Sequence, residues 1–180
     1  MWMVRGAGLS GLGGIPSSRD GLFVRPLLGV SRDQILAYLA ARGLAYRSDS
    51  SNAKDLYFRN RIRHEVLPLL KRENPALLST LHRQAELLKT DDRCLDDLAA
   101  AHFRLLRRDR VGAQISLDRV GLTLAPLALQ RRVVRLAFRE ARGDAQGPSF
   151  RIVESIVRLA ARASAERVLT LAGEGVEFAG

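Results

Sequence analysis

The chain has 180 residues, with 29 lysines and arginines against 19 aspartates and glutamates, a formal net charge of +10. A hydrophobic content of 47% excludes wholesale disorder, and no apolar run approaches the ~20 residues that span a bilayer. Gly6, Gly8, Gly11, Gly13 and Gly14 break up any signal peptide, and the single cysteine, Cys94, cannot form an internal disulfide, which suits a reducing cytoplasm.

Residues 5–21 are glycine-rich, lack periodicity and read as a loop. The run Leu22–Leu28 is apolar between Gly21 and Gly29 and is expected to be a short buried strand, held to an edge or ended by Pro26. Ser31, with Gln34 three residues on, makes a capping box. It opens a helix carrying Ile35, Leu36, Tyr38 and Leu39, which Gly43 stops. A short extended piece over Leu44–Tyr46 follows. Strand, helix, strand is the grammar of an α/β layer, but so few strands do not make a sheet alone, so this part reads as the tail of a larger domain.

From Arg59 the pattern turns helical. Ile62, Val66 and Leu69/Leu70 fall on one face, and Pro68 is expected to kink or end that helix. Pro75, after Asn74 as cap, begins a long amphipathic stretch through Leu77, Leu81, Leu88, Leu95 and Phe103 to about Arg110. Gln114–Leu117 reads as a brief strand. Helices are expected over Leu127–Arg142, ended by Gly143, and over Ser149–Arg162 after a Gly147-Pro148 break. Val168–Leu171 and Val176–Phe178, around Gly173-Glu174-Gly175, read as a hairpin cut off by the chain end.

Three of the 29 cations are lysines and the other 26 arginines. A basic chain favours polyanions, and the planar guanidinium grips phosphate and stacks on bases. A GC-rich genome would produce the same bias, so composition leaves both explanations open. Residues 1–73 hold 12 cations and 6 anions, a denser positive charge than the rest of the chain.

Most other constellations read as structural. The glycine loop lacks the Lys-Ser/Thr of a phosphate loop and reads as a flexible turn. His64, His82 and His102 show no metal spacing. Asp91, Asp92, Asp96 and Asp97 read as a solvated helix face. The segment Asp49-Ser50-Ser51-Asn52 before Arg59-Asn60-Arg61-Ile62-Arg63-His64-Glu65 is different. Asp49, Ser51 and Asn52 build a turn through backbone bonds. Arg59 and Arg63, four apart, share a helix face, with Asn60 and His64 in the adjacent row. Arginines in a first helical turn oppose the macrodipole, a cost expected where an anion is served. Pairing with Asp49, Asp55 and Glu65 is the competing explanation. Two further ridges, Arg131/Arg135/Arg139/Arg142 and Arg151/Arg158/Arg162, read either as soluble faces or as RNA-backbone contacts, with Arg131, Arg135, Arg139, Arg151 and Arg158 as the candidates.

The run RPLLGVSRDQILAYLAARGLAY, then DSSN, then RNRIRHEVLPLLKRENP, resembles the tRNA(Ile)-lysidine synthetase family of the PP-loop ATPase superfamily. GLSGLGGIP resembles the loop just before it. The resemblance is close over residues 5–75 and continues mainly in layout. It implies a mixed fold: a C-terminal remnant of an α/β PP-loop (Rossmann-like) domain over 1–58, a connecting helix over 59–74, a mostly α-helical tRNA-binding domain over 75–165, and over 166–180 a short β-hairpin that starts a β-rich region.

The resemblance also implies a reaction. ATP adenylates C2 of the wobble cytidine of a CAU-anticodon tRNA(Ile), and the amine of free lysine displaces AMP. Asp49, Asn52, Arg59, Asn60 and Arg63 are implied as RNA or nucleotide contacts, with Arg25 as a strand-end arginine. The family's SGGxDS loop and HHxDDQ-type motif are not in the 180 residues and are expected upstream of Met1. The chain is therefore read as a cytoplasmic fragment keeping the tRNA-recognition parts. ATP with Mg2+ would serve the full-length enzyme, and none is expected to bind the fragment tightly. Expected partners are the tRNA, lysine, a separate N-terminal ATPase half and a second copy of the chain. A non-catalytic helical RNA-binding protein derived from the family, and a helical protein-interaction module, are the alternatives.

Overall fold

The computed structural model describes residues 3–19, 21–47, 57–143, 147–162, 168–172 and 175–179. They fall into two compact units, Met1–Thr90 and Asp91–Gly180.

In the first unit, Met3–Arg5 forms a 3-10 turn and α1 (Leu9–Leu12) a single helical turn between Gly8 and Gly13. Gly13 is buried, and a Cβ there would stand 2.9 Å from Lys89 Cγ, so close approach requires the glycine. Strands β1 (Ser18–Arg19) and β2 (Phe23–Val24) pair antiparallel, Ser18 opposite Val24. The strand expected over Leu22–Leu28 is thus only two residues long, and Leu22, Phe23 and Val24 are exposed rather than buried. A two-stranded ribbon has no further layer against which to bury them. Leu44–Tyr46 pairs with no strand among the described residues.

Helix α2 (Arg32–Ala41) forms for the expected reason. Gln34 N–H donates to Ser31 Oγ at 3.2 Å, and Ser31 N–H donates to Gln34 Oε1 at 2.8 Å. Gly43, at φ +61°, takes the left-handed conformation that closes the helix.

Residues 58–73 run as α3 (Phe58–Arg61), a π-helical turn over Ile62–Val66 and α4 (Leu67–Glu73). Pro68 does not end this helix; it sits in the first turn of α4. It has no N–H to give the carbonyl one turn back, and its ring crowds that turn. The wider π turn, closed by Leu67 N–H on the Ile62 carbonyl, accommodates both effects. The apolar row shifts with it: Ile62 and Leu67, five apart, are half-buried, whereas Val66 is exposed. Among the described residues of this unit only Gly13 and Asn60 are buried.

Helix α5 (Leu77–Leu106) runs from the first unit into the second. It ends short of Arg110 because Arg107–Val111 leaves it as strand β3. A two-residue turn with Gly112 at φ +58° leads into β4 (Gln114–Asp118). The sheet order is β3-β4-β5-β6, with β5 Val168–Ala172 and β6 Gly175–Ala179, antiparallel throughout. The closing hairpin is therefore a working part of this sheet, since Leu169 pairs with Leu117 and Leu171 with Ile115. These four side chains are fully buried on one face, as period-two alternation requires.

Helices α6 (Arg119–Leu124) and α7 (Leu127–Arg142) cover that face, and α8 (Phe150–Arg162) packs on both of them. Val133, Val134, Ala137 and Phe138 of α7, Val153, Ile156 and Val157 of α8, and Ala99 and Phe103 of α5 complete one core. Two cations build this unit rather than decorate it. Arg132 donates to Asp92 Oδ1 at 2.6 Å and also to Asp96, so half of the acidic face expected to be solvated is tied to α7. The buried Arg119 donates through Nη1 to the Ala160 carbonyl at 2.7 Å. It caps the last turn of α8, where orphan carbonyls and the helix dipole favour a cation.

Candidate nucleic-acid interface

In the first unit the candidate residues sit on the helix that Tyr57 opens, where Asn60 N–H donates to the Tyr57 carbonyl at 2.9 Å. Arg59 and Arg63 are both exposed and make no ion pair among the described residues. Glu65 does not hold them, and Asp49, Asn52 and Asp55 lie outside the described residues. The adjacent row is split: Asn60 is 6% exposed while His64 faces solvent. The π turn between them accounts for this, because it breaks the four-residue phase on which the row was drawn. Arg61 lies with Cζ 5.8 Å from the Phe58 ring centroid. Arg25 donates through Nη1 to the Pro16 carbonyl at 3.0 Å, closing the open end of the β1–β2 ribbon.

The basic ridges of the second unit separate into two groups. Arg131 donates to both oxygens of Glu154 and lies with Cζ 5.6 Å from the Phe150 ring. Arg135 makes a long contact of 3.5 Å with the Pro148 carbonyl. Arg142 lies over Phe138. Arg131 and Arg135 are half-buried against these neighbours, whereas Arg142 is exposed. Arg139, Arg151 and Arg158 are exposed and donate to no carboxylate among the described residues.

Sequence reasoning missed two features. Phe150, beside the Gly147-Pro148 break, is 61% exposed and backed by Arg131; an aromatic at a helix start next to an arginine was the available signal. The charged strand β3 was missed because it lacks apolar alternation. Arg107 and Arg110 both donate to Glu140 Oε1, at 2.7 and 3.4 Å, and Arg108 to Asp118 Oδ2 at 2.5 Å. Charges along an edge strand also block pairing with another chain.

Electrostatically, the Gly121 N–H first, and Arg108 after it, hold the Asp118 carboxyl below the usual range. Among the described residues no cluster of three His, Cys, Asp or Glu could hold a metal ion, and no helix is long and apolar enough to cross a membrane.

Comparison with known proteins bears on both units. Residues 1–70 match the PP-loop domain family, and residues 117–177 match the family described as the TilS substrate binding domain. The chain is 44% identical over 162 residues to a tRNA(Ile)-lysidine synthase of Geobacter sulfurreducens, covering 88% of this chain and 34% of that protein. It is 40% identical over 180 residues to the tRNA(Ile)-lysidine synthase of Symbiobacterium thermophilum, covering 95% and 37%. It is 41% identical over 141 residues to that of Geobacillus kaustophilus, covering 76% and 30%. The chain thus spans about a third of the length of the curated relatives it matches.

Proposed function

We propose that this chain, which belongs to the tRNA(Ile)-lysidine synthase family, supplies the tRNA-recognising part of an ATP-dependent, tRNA-modifying ligase. The reaction is the joining of lysine to C2 of the wobble cytidine of a CAU-anticodon tRNA(Ile) through an adenylated intermediate. The observation that carries this reading is the order of matches along one chain. A PP-loop segment precedes a substrate-binding segment, at 40% identity or more to proteins named for that reaction. A non-catalytic RNA-binding derivative has no observation of its own in support.

ATP with Mg2+ belongs to this proposal for the whole enzyme, but the residues of this chain do not fit a triphosphate. The glycine segment folds as a helical turn, with Gly13 buried against Lys89, and neither SGGxDS nor HHxDDQ occurs in the 180 residues. No step through ATP is assigned to them. The segment 1–58 is taken as part of a PP-loop domain, joined through 59–74 to a substrate-binding region over 75–165. Residues 166–180 are grouped with that region, because β5 pairs with β4.

Arg59 and Arg63 are assigned to RNA contact, supported by their exposure and lack of a partner among the described residues. Asp49 and Asn52 are assigned with them from the resemblance. Buried Asn60 and ribbon-closing Arg25 are assigned to positioning. Arg139, Arg151 and Arg158 are assigned to the tRNA backbone, whereas Arg131 and Arg135 serve packing first. Lysine, the tRNA and a polypeptide bearing the SGGxDS loop are the proposed partners, in the cytoplasm.

The test has two steps. Binding of a CAU-anticodon tRNA transcript is measured across salt, and a steep loss of affinity is expected. A PP-loop polypeptide carrying SGGxDS is then added with ATP, Mg2+ and lysine, and lysidine is read by mass spectrometry. Lysidine formed only by the two together supports the reading; salt-independent or absent tRNA binding overturns it.

A further inference from the structure

We infer that the open ring face of Phe150 is a stacking platform for an unpaired nucleobase, with Arg151 and Arg135 beside it for the attached phosphates. This site rests on the RNA-binding reading above and adds to it a contact of a different kind. Phe103 and Phe138 of the same unit are buried, whereas Phe150, in the first turn of α8, is 61% exposed. The exposure is not slack. The Arg131 guanidinium lies 5.6 Å from the ring centroid and is itself clamped by both oxygens of Glu154, one helical turn along from Phe150. The ring therefore has a held guanidinium over it and leaves most of its surface to solvent.

The charge around the ring selects the ligand. Arg131 and Glu154 neutralise one another, which leaves Arg151, exposed and unpaired among the described residues, and Arg135, which leans on the Pro148 carbonyl. An exposed aromatic ring at a helix start that also carries an unpaired arginine matches a base attached to phosphates, and every base offers a π face regardless of its edge pattern. Because the ring is already oriented, little side-chain entropy is lost on stacking. A duplex cannot use such a platform, since its bases are stacked on one another. The site therefore takes single-stranded RNA: a loop or an unpaired end.

The experiment uses the full chain and single-stranded RNA oligonucleotides carrying 2-aminopurine at successive positions, with F150L, F150W and R151Q variants. Stacking quenches 2-aminopurine fluorescence. Wild type and F150W should quench at one position. F150L should lose that quench and bind about tenfold more weakly, with an unchanged salt slope because stacking releases no counterion. R151Q should keep the quench and lower the salt slope by about 0.7. Thermal midpoints should be equal for all, as the ring lies outside the core. Wild-type RNA binding with F150L bound equally well and equally quenched would overturn the stacking site alone. Failure of the wild-type chain to bind RNA at all would overturn the RNA reading, and this site with it.

Discussion

The Arg131 guanidinium grips Glu154 through two donors, Nε to Oε1 at 2.6 Å and Nη2 to Oε2 at 3.1 Å. That fork ties α7 to α8 and removes one arginine from a ridge that helical spacing alone would present as free. It also sets a pH dependence. The Arg131 hydrogen bond and charge hold the Glu154 carboxyl below its usual range, as Gly121 and Arg108 do for Asp118.

A carboxyl depressed in the folded state stabilises above the unfolded carboxylate pKa, about 4. That stabilisation is lost as pH falls through the lowered folded value. The thermal midpoint should therefore hold steady from pH 7 to about 5 and drop below that. In E154Q combined with D118N the midpoint at pH 7 should be lower and the acid slope shallower. An unchanged slope in that double variant would mean other groups control the acid limb.

Arg132 is the sharper stability determinant, because its side chain is 17% exposed and that of Asp92 14%. Removing the guanidinium leaves Asp92 with little water to replace it, so R132M should cost about 2–3 kcal/mol in urea unfolding. Asp96 is 62% exposed, and D96N should cost about 0.5 kcal/mol. Equal losses in the two variants would contradict this ranking.

Arg119 tests the helix end. Its Nη1 is the donor to the Ala160 carbonyl, and the residue is 9% exposed. R119M should cost about 2 kcal/mol, with amide exchange accelerating first in the last turn of α8. Loss spread evenly over the unit would argue that Arg119 supports the core in general rather than that terminus.

The Ser31/Gln34 box, Gly143 after α7 and the apolar periods of α7 and α8 are local signals, and each appears at or within a residue of its expected place. What failed depended on distant partners. Leu22–Val24 looked like a buried strand, but burial needs a second layer that local pattern cannot report. Periodicity put Arg131 and Arg139 on one ridge, yet among the described residues only Arg131 of the two meets a carboxylate, 23 residues away. Asp92 and Asp96 met Arg132 across a similar gap. The π turn before Pro68 changed phase within the candidate site, so Asn60 turned inward while His64 stayed out. Asp49 and Asn52 lie outside the described residues.

The exposed pair Arg59 and Arg63 separates RNA contact from helix stability. Neither residue holds an acidic partner among the described residues, so changing both to glutamine removes charge without breaking an ion pair there. Glutamine is nearly as good a helix former as arginine, and two unfavourable cations leave the first turns. Far-UV circular dichroism should therefore match wild type. If both arginines contact phosphate, the R59Q/R63Q variant should bind the CAU-anticodon tRNA more weakly, and its log–log salt slope should fall by about 1.4–1.8. Weaker binding with an unchanged slope would move these residues from phosphate to base contact. Equal affinity and equal slope would remove them from the interface.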